Sequence, residues 1–137
     1  MKKNFKHSEI TGLILKAFFN VYNTLGYGFL EKVYENAMLI ELRKLGLKCS
    51  NQLAIEVHYD DQIVGDYKAD ILVEELVIVE LKAIETLAPI HEAILVNYLK
   101  GTELEVGLLL NFGPKPQYKR RVLTTEYLDS IKKDDKD

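Results

Sequence analysis

The stretch Lys68-Ala-Asp-Ile-Leu-Val-Glu-Glu-Leu-Val-Ile-Val-Glu-Leu-Lys82 constrains the chain more than any other. Two apolar runs flank the acidic pair Glu74-Glu75, so it reads as two strands joined by a tight turn. Charge interrupts the runs at Asp70, Glu80 and Lys82. Side chains alternate along a strand, which puts Ile78, Glu80 and Lys82 on one face. A carboxylate inside Leu-Val-Ile-Val-Glu-Leu is costly to desolvate and needs a cation, hydrogen bonds or water. The hairpin register decides whether Asp70 stands beside it. A two-residue loop sets Asp70 opposite Val79 and turns Glu80 to the other face. A three-residue loop (Glu74, Glu75, Leu76), or a bulge, sets Asp70 opposite Glu80. Carboxylates that close repel unless a cation lies between them, and hard divalent ions such as magnesium prefer oxygen ligands. A shared site therefore requires the odd-numbered loop or a bulge.

The 137 residues suit a single domain over 1–123, with 47% hydrophobic residues to build a core, followed by a short helix and charged tail over 124–137. A net charge of −3 gives no overall basic footprint and counts against tight, non-specific nucleic-acid binding. The lone Cys49 cannot form an internal disulfide and suits a reducing cytoplasm. No apolar run follows the N-terminal charges, and none approaches the roughly 20 residues that span a bilayer. Neither a signal peptide nor a membrane association is expected.

Ile10, Ile14, Ala17, Phe18, Val21 and Leu25 recur at helical spacing from a Ser8 N-cap to the stop at Gly26. A second helix starts at Glu31, with Leu30, Val33, Tyr34, Ala37, Met38, Leu42 and Leu45 on its buried stripe and Gly46 closing it. By periodicity Glu31 reads first as a favourable helix-start charge and only second as a site carboxylate, and Tyr34 first as a core tyrosine and second as a site residue. Alternation over 52–59, an Asp60-Asp61 turn and a strand from Ile63 complete a three-strand meander with the opening stretch. Asp66, Lys68 and Asp70 share a face, making Asp66 a weaker second metal candidate. His58 lies on a half-polar strand and reads as a surface residue.

Pro89 opens a helix to about residue 100 that is apolar on most sides and expected to be mostly buried. A buried strand over 106–112 follows, parallel to the 76–83 strand because a helical crossover connects them. After the loop at 113–117, an edge strand over 119–123 and a terminal helix over 125–132 are expected. Lys115, Lys119, Arg120 and Arg121 form the concentrated basic patch, either a solvated edge or a phosphate contact. The architecture is α/β: two N-terminal helices, an antiparallel meander, a crossover helix and a parallel strand.

Asp70 followed after nine residues by Glu80-Leu81-Lys82 resembles the signature of the PD-(D/E)XK nuclease superfamily, the restriction-endonuclease-like fold. More narrowly, Gly28-Phe-Leu-Glu31-Lys-Val-Tyr34 resembles the motif that names the GxxExxY family within it. Ala69-Asp70, Val79-Glu-Leu-Lys-Ala83, Asn97-Tyr-Leu-Lys100 and Leu110-Asn-Phe-Gly113 are also similar to that family, and the likeness covers residues 8–123. The resemblance implies a magnesium site, with manganese as substitute, held by Asp70, Glu80 and the Leu81 carbonyl and completed by Glu31. It gives Lys82 the task of orienting water or stabilising charge on the phosphate. Tyr34, Asn97 and Tyr98 are candidate supporting residues, and Lys115, Lys119, Arg120 and Arg121, read from their charge alone, are the candidate phosphate contacts.

Two departures accompany the resemblance. Ala69 replaces the proline of the signature, without consequence for the aspartate. Ile94 stands where many relatives carry a glutamine, and an isoleucine cannot hydrogen-bond water or phosphate; His91, one turn earlier, is the candidate substitute. Two functions of different class follow: a small metal-dependent nuclease acting on DNA, with RNA the lesser substrate, or a non-catalytic nuclease-like module that binds nucleic acid or a protein. A structural network with Lys82 bridging Asp70 and Glu80 is the plain alternative for the same residues. A homodimer is compatible with a domain this small acting on a duplex.

Overall fold

Periodic apolar residues form the first layer. Ile14, Ala17, Phe18 and Val21 line the buried face of α1 (Ser8–Leu25), and Tyr34, Met38, Leu39 and Leu42 that of α2 (Glu31–Lys44). This computed structural model describes residues 6–124; the terminal helix expected at 125–132 and the charged tail lie outside the described residues. Ser8 is the first helical residue rather than the cap, a position held by His7 in the left-handed conformation.

Five strands follow: β1 (Cys49–Tyr59), β2 (Gln62–Val73), β3 (Val77–Lys82), β4 (Val106–Phe112) and β5 (Pro116–Val122), with α3 (Pro89–Thr102) between β3 and β4. The sheet order is β1-β2-β3-β4-β5, antiparallel throughout except for the parallel β3–β4 pair that the α3 crossover makes. Val77, Val79 and Leu81 of β3 pack toward α1 and α2, whereas Ile78 packs with Leu95 and Leu99 of α3. The sheet is therefore the middle of three layers. Phe112 at the end of β4 stacks on Tyr34 at 4.1 Å and meets Phe18 edge-on at 4.8 Å, tying both N-terminal helices to it.

Two helices differ from expectation. Along α2, Leu30 is 82% exposed, Val33 is half out, and Glu35 is buried in their place. The α3 helix buries Leu95 and Leu99 but leaves Ile90 exposed, because it packs along one stripe over β4. Gly107 makes that approach possible, since a Cβ there would lie 2.8 Å from a Leu95 methyl. Among the described residues no helix is long and apolar enough to cross a membrane.

Candidate functional site

The β2–β3 hairpin closes through the odd-numbered loop. Val73 pairs with Val77, Leu72 with Ile78 and Ile71 with Val79, leaving Glu74, Glu75 and Leu76 in the turn. Glu74 and Glu75 both take positive φ, 54° and 57°, and the Leu76 N–H donates to the Val73 carbonyl at 2.9 Å. One step beyond Ile71–Val79 come Asp70 and Glu80, and there side chains replace the backbone ladder. The Asp70 N–H donates to Glu80 Oε1 at 2.8 Å, and the Leu81 N–H donates to Asp70 Oδ2 at 2.7 Å. Each carboxylate thus takes a backbone N–H from the opposite strand.

The sheet is irregular where this clasp forms. Ala69 packs in the cluster on the α3 side and Ile71, two residues on, in the cluster on the α1–α2 side. Regular alternation would put both on one face, so the strand rolls over at Asp70. Asp70 consequently does not share a continuous face with Asp66 and Lys68, as the sequence alone suggests. Asp66 lies exposed on the outer part of the β1–β2 ribbon, paired with Glu56, and His58 lies near the ribbon tip.

Only one oxygen of each carboxylate is engaged. Asp70 Oδ1 and Glu80 Oε2 accept no hydrogen bond among the described residues. No buried side-chain oxygen or nitrogen among those residues lacks a partner, so both oxygens reach solvent. Burial, followed by the charge of Asp70, pushes the Glu80 carboxyl up to about 8. Burial also raises Asp70 against the opposing effect of the Leu81 N–H, with the charges of Glu35 and Glu31 adding to the rise. Adjacent carboxylates, each with one open oxygen and a resisted negative charge, form a donor set that suits a hard divalent cation.

Glu31 opens α2 and is exposed; its charge is felt by both Asp70 and Glu80. Among the described residues no three acidic, histidine or cysteine side chains converge as a ready-made metal cage. The expected convergence of three carboxylates is therefore not formed in this arrangement. Lys82, half-buried, follows Glu80 on the same strand face, and its charge favours ionisation of both carboxylates. It makes no ion pair with either among the described residues, which removes the reading of Lys82 as a structural bridge.

The other named residues divide by where their polar atoms are spent. Tyr34 is fully buried; its hydroxyl donates to the Gly26 carbonyl at 2.7 Å and accepts the Phe29 N–H at 3.3 Å, fixing the loop before Glu31. His91 Nδ1 accepts the Ala88 N–H at 2.8 Å as a cap on α3, which leaves its other ring nitrogen as a donor. Tyr98 faces the carboxylates: burial and then the charges of Glu80 and Asp70 raise its hydroxyl. Asn97 is exposed and Ile94 half-buried on α3.

The basic patch divides between the loop and both faces of β5. Lys119 pairs with Leu109 and Arg121 with Gly107, on the α3 side, and Arg121 bonds Glu92 at 3.2 Å. Arg120 pairs with Leu108 on the other side and donates to the Lys6 carbonyl, while Lys115 lies exposed in the loop before the strand.

Two residues to which the sequence assigned no role shape the site. Glu35, 4% exposed, accepts from Lys32 at 3.1 Å, Asn51 at 2.9 Å and Gln52 at 3.0 Å. Asn111, beside Lys82 in the β3–β4 register, is fully buried; it accepts the Ile84 N–H and donates to the Ile84 carbonyl, both at 3.0 Å. It also donates to Gln117 Oε1, which accepts the Leu87 N–H. These bonds pin the loop leaving Lys82, and a Cβ at Gly113 would collide with the Ile84 carbonyl. The sequence signals for Asn111 were a polar residue inside a continuous apolar strand and its place in the segment Leu110-Asn-Phe-Gly113.

Comparison with known proteins adds a family and a fold. A family model described as PD-(D/E)XK nuclease superfamily matches residues 8–122. Among solved structures, the crystal structure of SSO0001 is similar with a TM-score of 0.52 at 17% identity, over 93% of this chain. The chain spans 65% of that structure's length, and at this identity the likeness concerns the fold alone. No curated protein matches the chain.

Proposed function

The chain belongs to the PD-(D/E)XK nuclease superfamily, and we propose that within it the protein is a magnesium-dependent nuclease that hydrolyses phosphodiester bonds in DNA, with RNA the lesser substrate and manganese an alternative ion. The observation that carries this reading is the Asp70–Glu80 clasp, in which backbone N–H groups fix one oxygen of each carboxylate and leave the other open. Asp70, Glu80 and the Leu81 carbonyl would hold the ion, with Glu31 completing the set directly or through water. When bound, the ion supplies Lewis acidity toward a phosphate oxygen and an attacking water.

The remaining roles belong to this chain's own side chains. Lys82, uncommitted to either carboxylate, orients the attacking water and offsets charge that develops on the phosphate. Tyr98 borders the carboxylate pair from α3. Lys115 and Lys119, both exposed, are the phosphate contacts best placed to act, since Arg121 is engaged by Glu92 and Arg120 by the Lys6 carbonyl. The GxxExxY motif makes physical sense within this reading: Gly28 takes φ 113°, Tyr34 locks the loop, and Glu31 opens the helix toward the site. We place the chain in that branch, acting in the cytoplasm, and consider a homodimer the means to address both strands of a duplex.

A non-catalytic nuclease-like module is favoured by the exposed Glu31 standing apart and by the apolar Ile94 on α3. End-labelled single- and double-stranded DNA incubated with the protein and magnesium or manganese separates the two. The nuclease reading expects ion-dependent cleavage that EDTA stops, reduced about a hundredfold by Lys82→Ala. DNA binding without cleavage under either ion would establish the second reading.

A further inference from the structure

Asn51 and Gln52 are consecutive in β1, yet both reach the same carboxylate, Glu35 of α2. A regular strand forbids this, because neighbours point to opposite faces. Gln52 achieves it by adopting φ 59°, the left-handed region that a non-glycine side chain enters at a cost. Asn51 pairs with Ile71 and Leu53 with Ala69, so Gln52 falls opposite Asp70. This is also where β2 changes faces and where the carboxylate clasp begins. The buried acid, the left-handed residue and the roll of β2 thus occupy one place.

We infer that Glu35 is a positioning residue: through Asn51 and Gln52 it holds the kink in β1 that sets the backbone of Asp70 for its reciprocal bonds with Glu80 and Leu81. As a metal-site support the inference rests on the reading above; as a statement about the clasp it does not. Glu35 uses both oxygens on these partners and has Lys32 as counter-charge, so it acts through β1 rather than as a ligand. Lys32 is largely exposed and anchors the carboxylate from its own helix.

The test reads the clasp without metal. Amide hydrogen exchange followed by NMR is measured at Asp70 and Leu81, with Leu109 in central β4 as the internal reference. Glu35→Ala is expected to lower protection at Asp70 and Leu81 at least about tenfold more than at Leu109. Adding Gln52→Gly should recover most of that loss, because glycine takes the left-handed conformation without steric cost. A uniform loss at all three amides, no loss at all, or a selective loss that Gln52→Gly leaves unrepaired would each overturn the inference. Manganese titration of the same proteins adds the functional arm. Affinity should fall about ten- to a hundredfold in Glu35→Ala and return in the double variant. If the folded wild type binds no manganese, the metal reading falls while the amides still decide the role of Glu35.

Discussion

Glu80 shows how one residue couples stability to chemistry. Its carboxyl is raised from 4.5 to about 8, first by burial and then by Asp70. Between those values the unfolded chain has released the proton and the folded, metal-free chain has kept it. The unfolded state then binds fewer protons, so stability declines as pH rises through the window. This contribution is complete below the unfolded value of 4.5 and lost above about 8. Asp70 is raised as well and adds in the same direction. Glu80→Gln keeps an oxygen for the Asp70 N–H and removes the titration. Its melting temperature is expected to vary less with pH than that of the wild type and to exceed it near the top of the window, as thermal melts across the range would read. Divalent-ion affinity should strengthen over the same window, because ion and proton compete for one carboxylate. Asp70 and Glu80 were legible in the sequence because a charge inside an apolar strand demands an explanation. Glu35 was not: its partners arrive 16 and 17 residues later from another element, and helical periodicity alone assigned burial to Leu30 and Val33 instead.

At the scale of elements, the hairpin and the loop after β3 do the positioning. A cation site shared by Asp70 and Glu80 required an odd-numbered turn or a bulge, and the Val73–Val77 closing pair has the odd register. The roll of β2 at Asp70 was hidden, because it depends on the left-handed Gln52 of a neighbouring strand. The 83–88 loop was read only as a gap between strand and helix. It is held by Asn111 through three hydrogen bonds to Ile84 and Gln117, so truncation strands a backbone N–H and a carbonyl in a buried place. Asn111→Ala is expected to cost about 2–3 kcal/mol in urea unfolding, with little change in the denaturant slope. A cost below about 0.5 kcal/mol would mean that water replaces the amide and the loop needs no pin.

For the molecule as a whole, the order of elements was legible because each carries its own period: 3.6 for the helices, 2 for the meander, and a continuous apolar run for β4. The parallel β3–β4 pair followed from the helical crossover that joins the two strands. What periodicity could not give was the depth of α3, which depends on Gly107 and on how much of the sheet one helix covers. The three layers bring residues from β2, β3, α2 and α3 around one irregular point in the sheet. The claim that this point is a metal site is tested most directly by calorimetric titration of manganese into the full chain and into Asp70→Ala and Glu80→Ala, each shown to be folded by circular dichroism. The account expects binding in the wild type that disappears in both variants. No binding in the folded wild type, or binding that survives both substitutions, would contradict it.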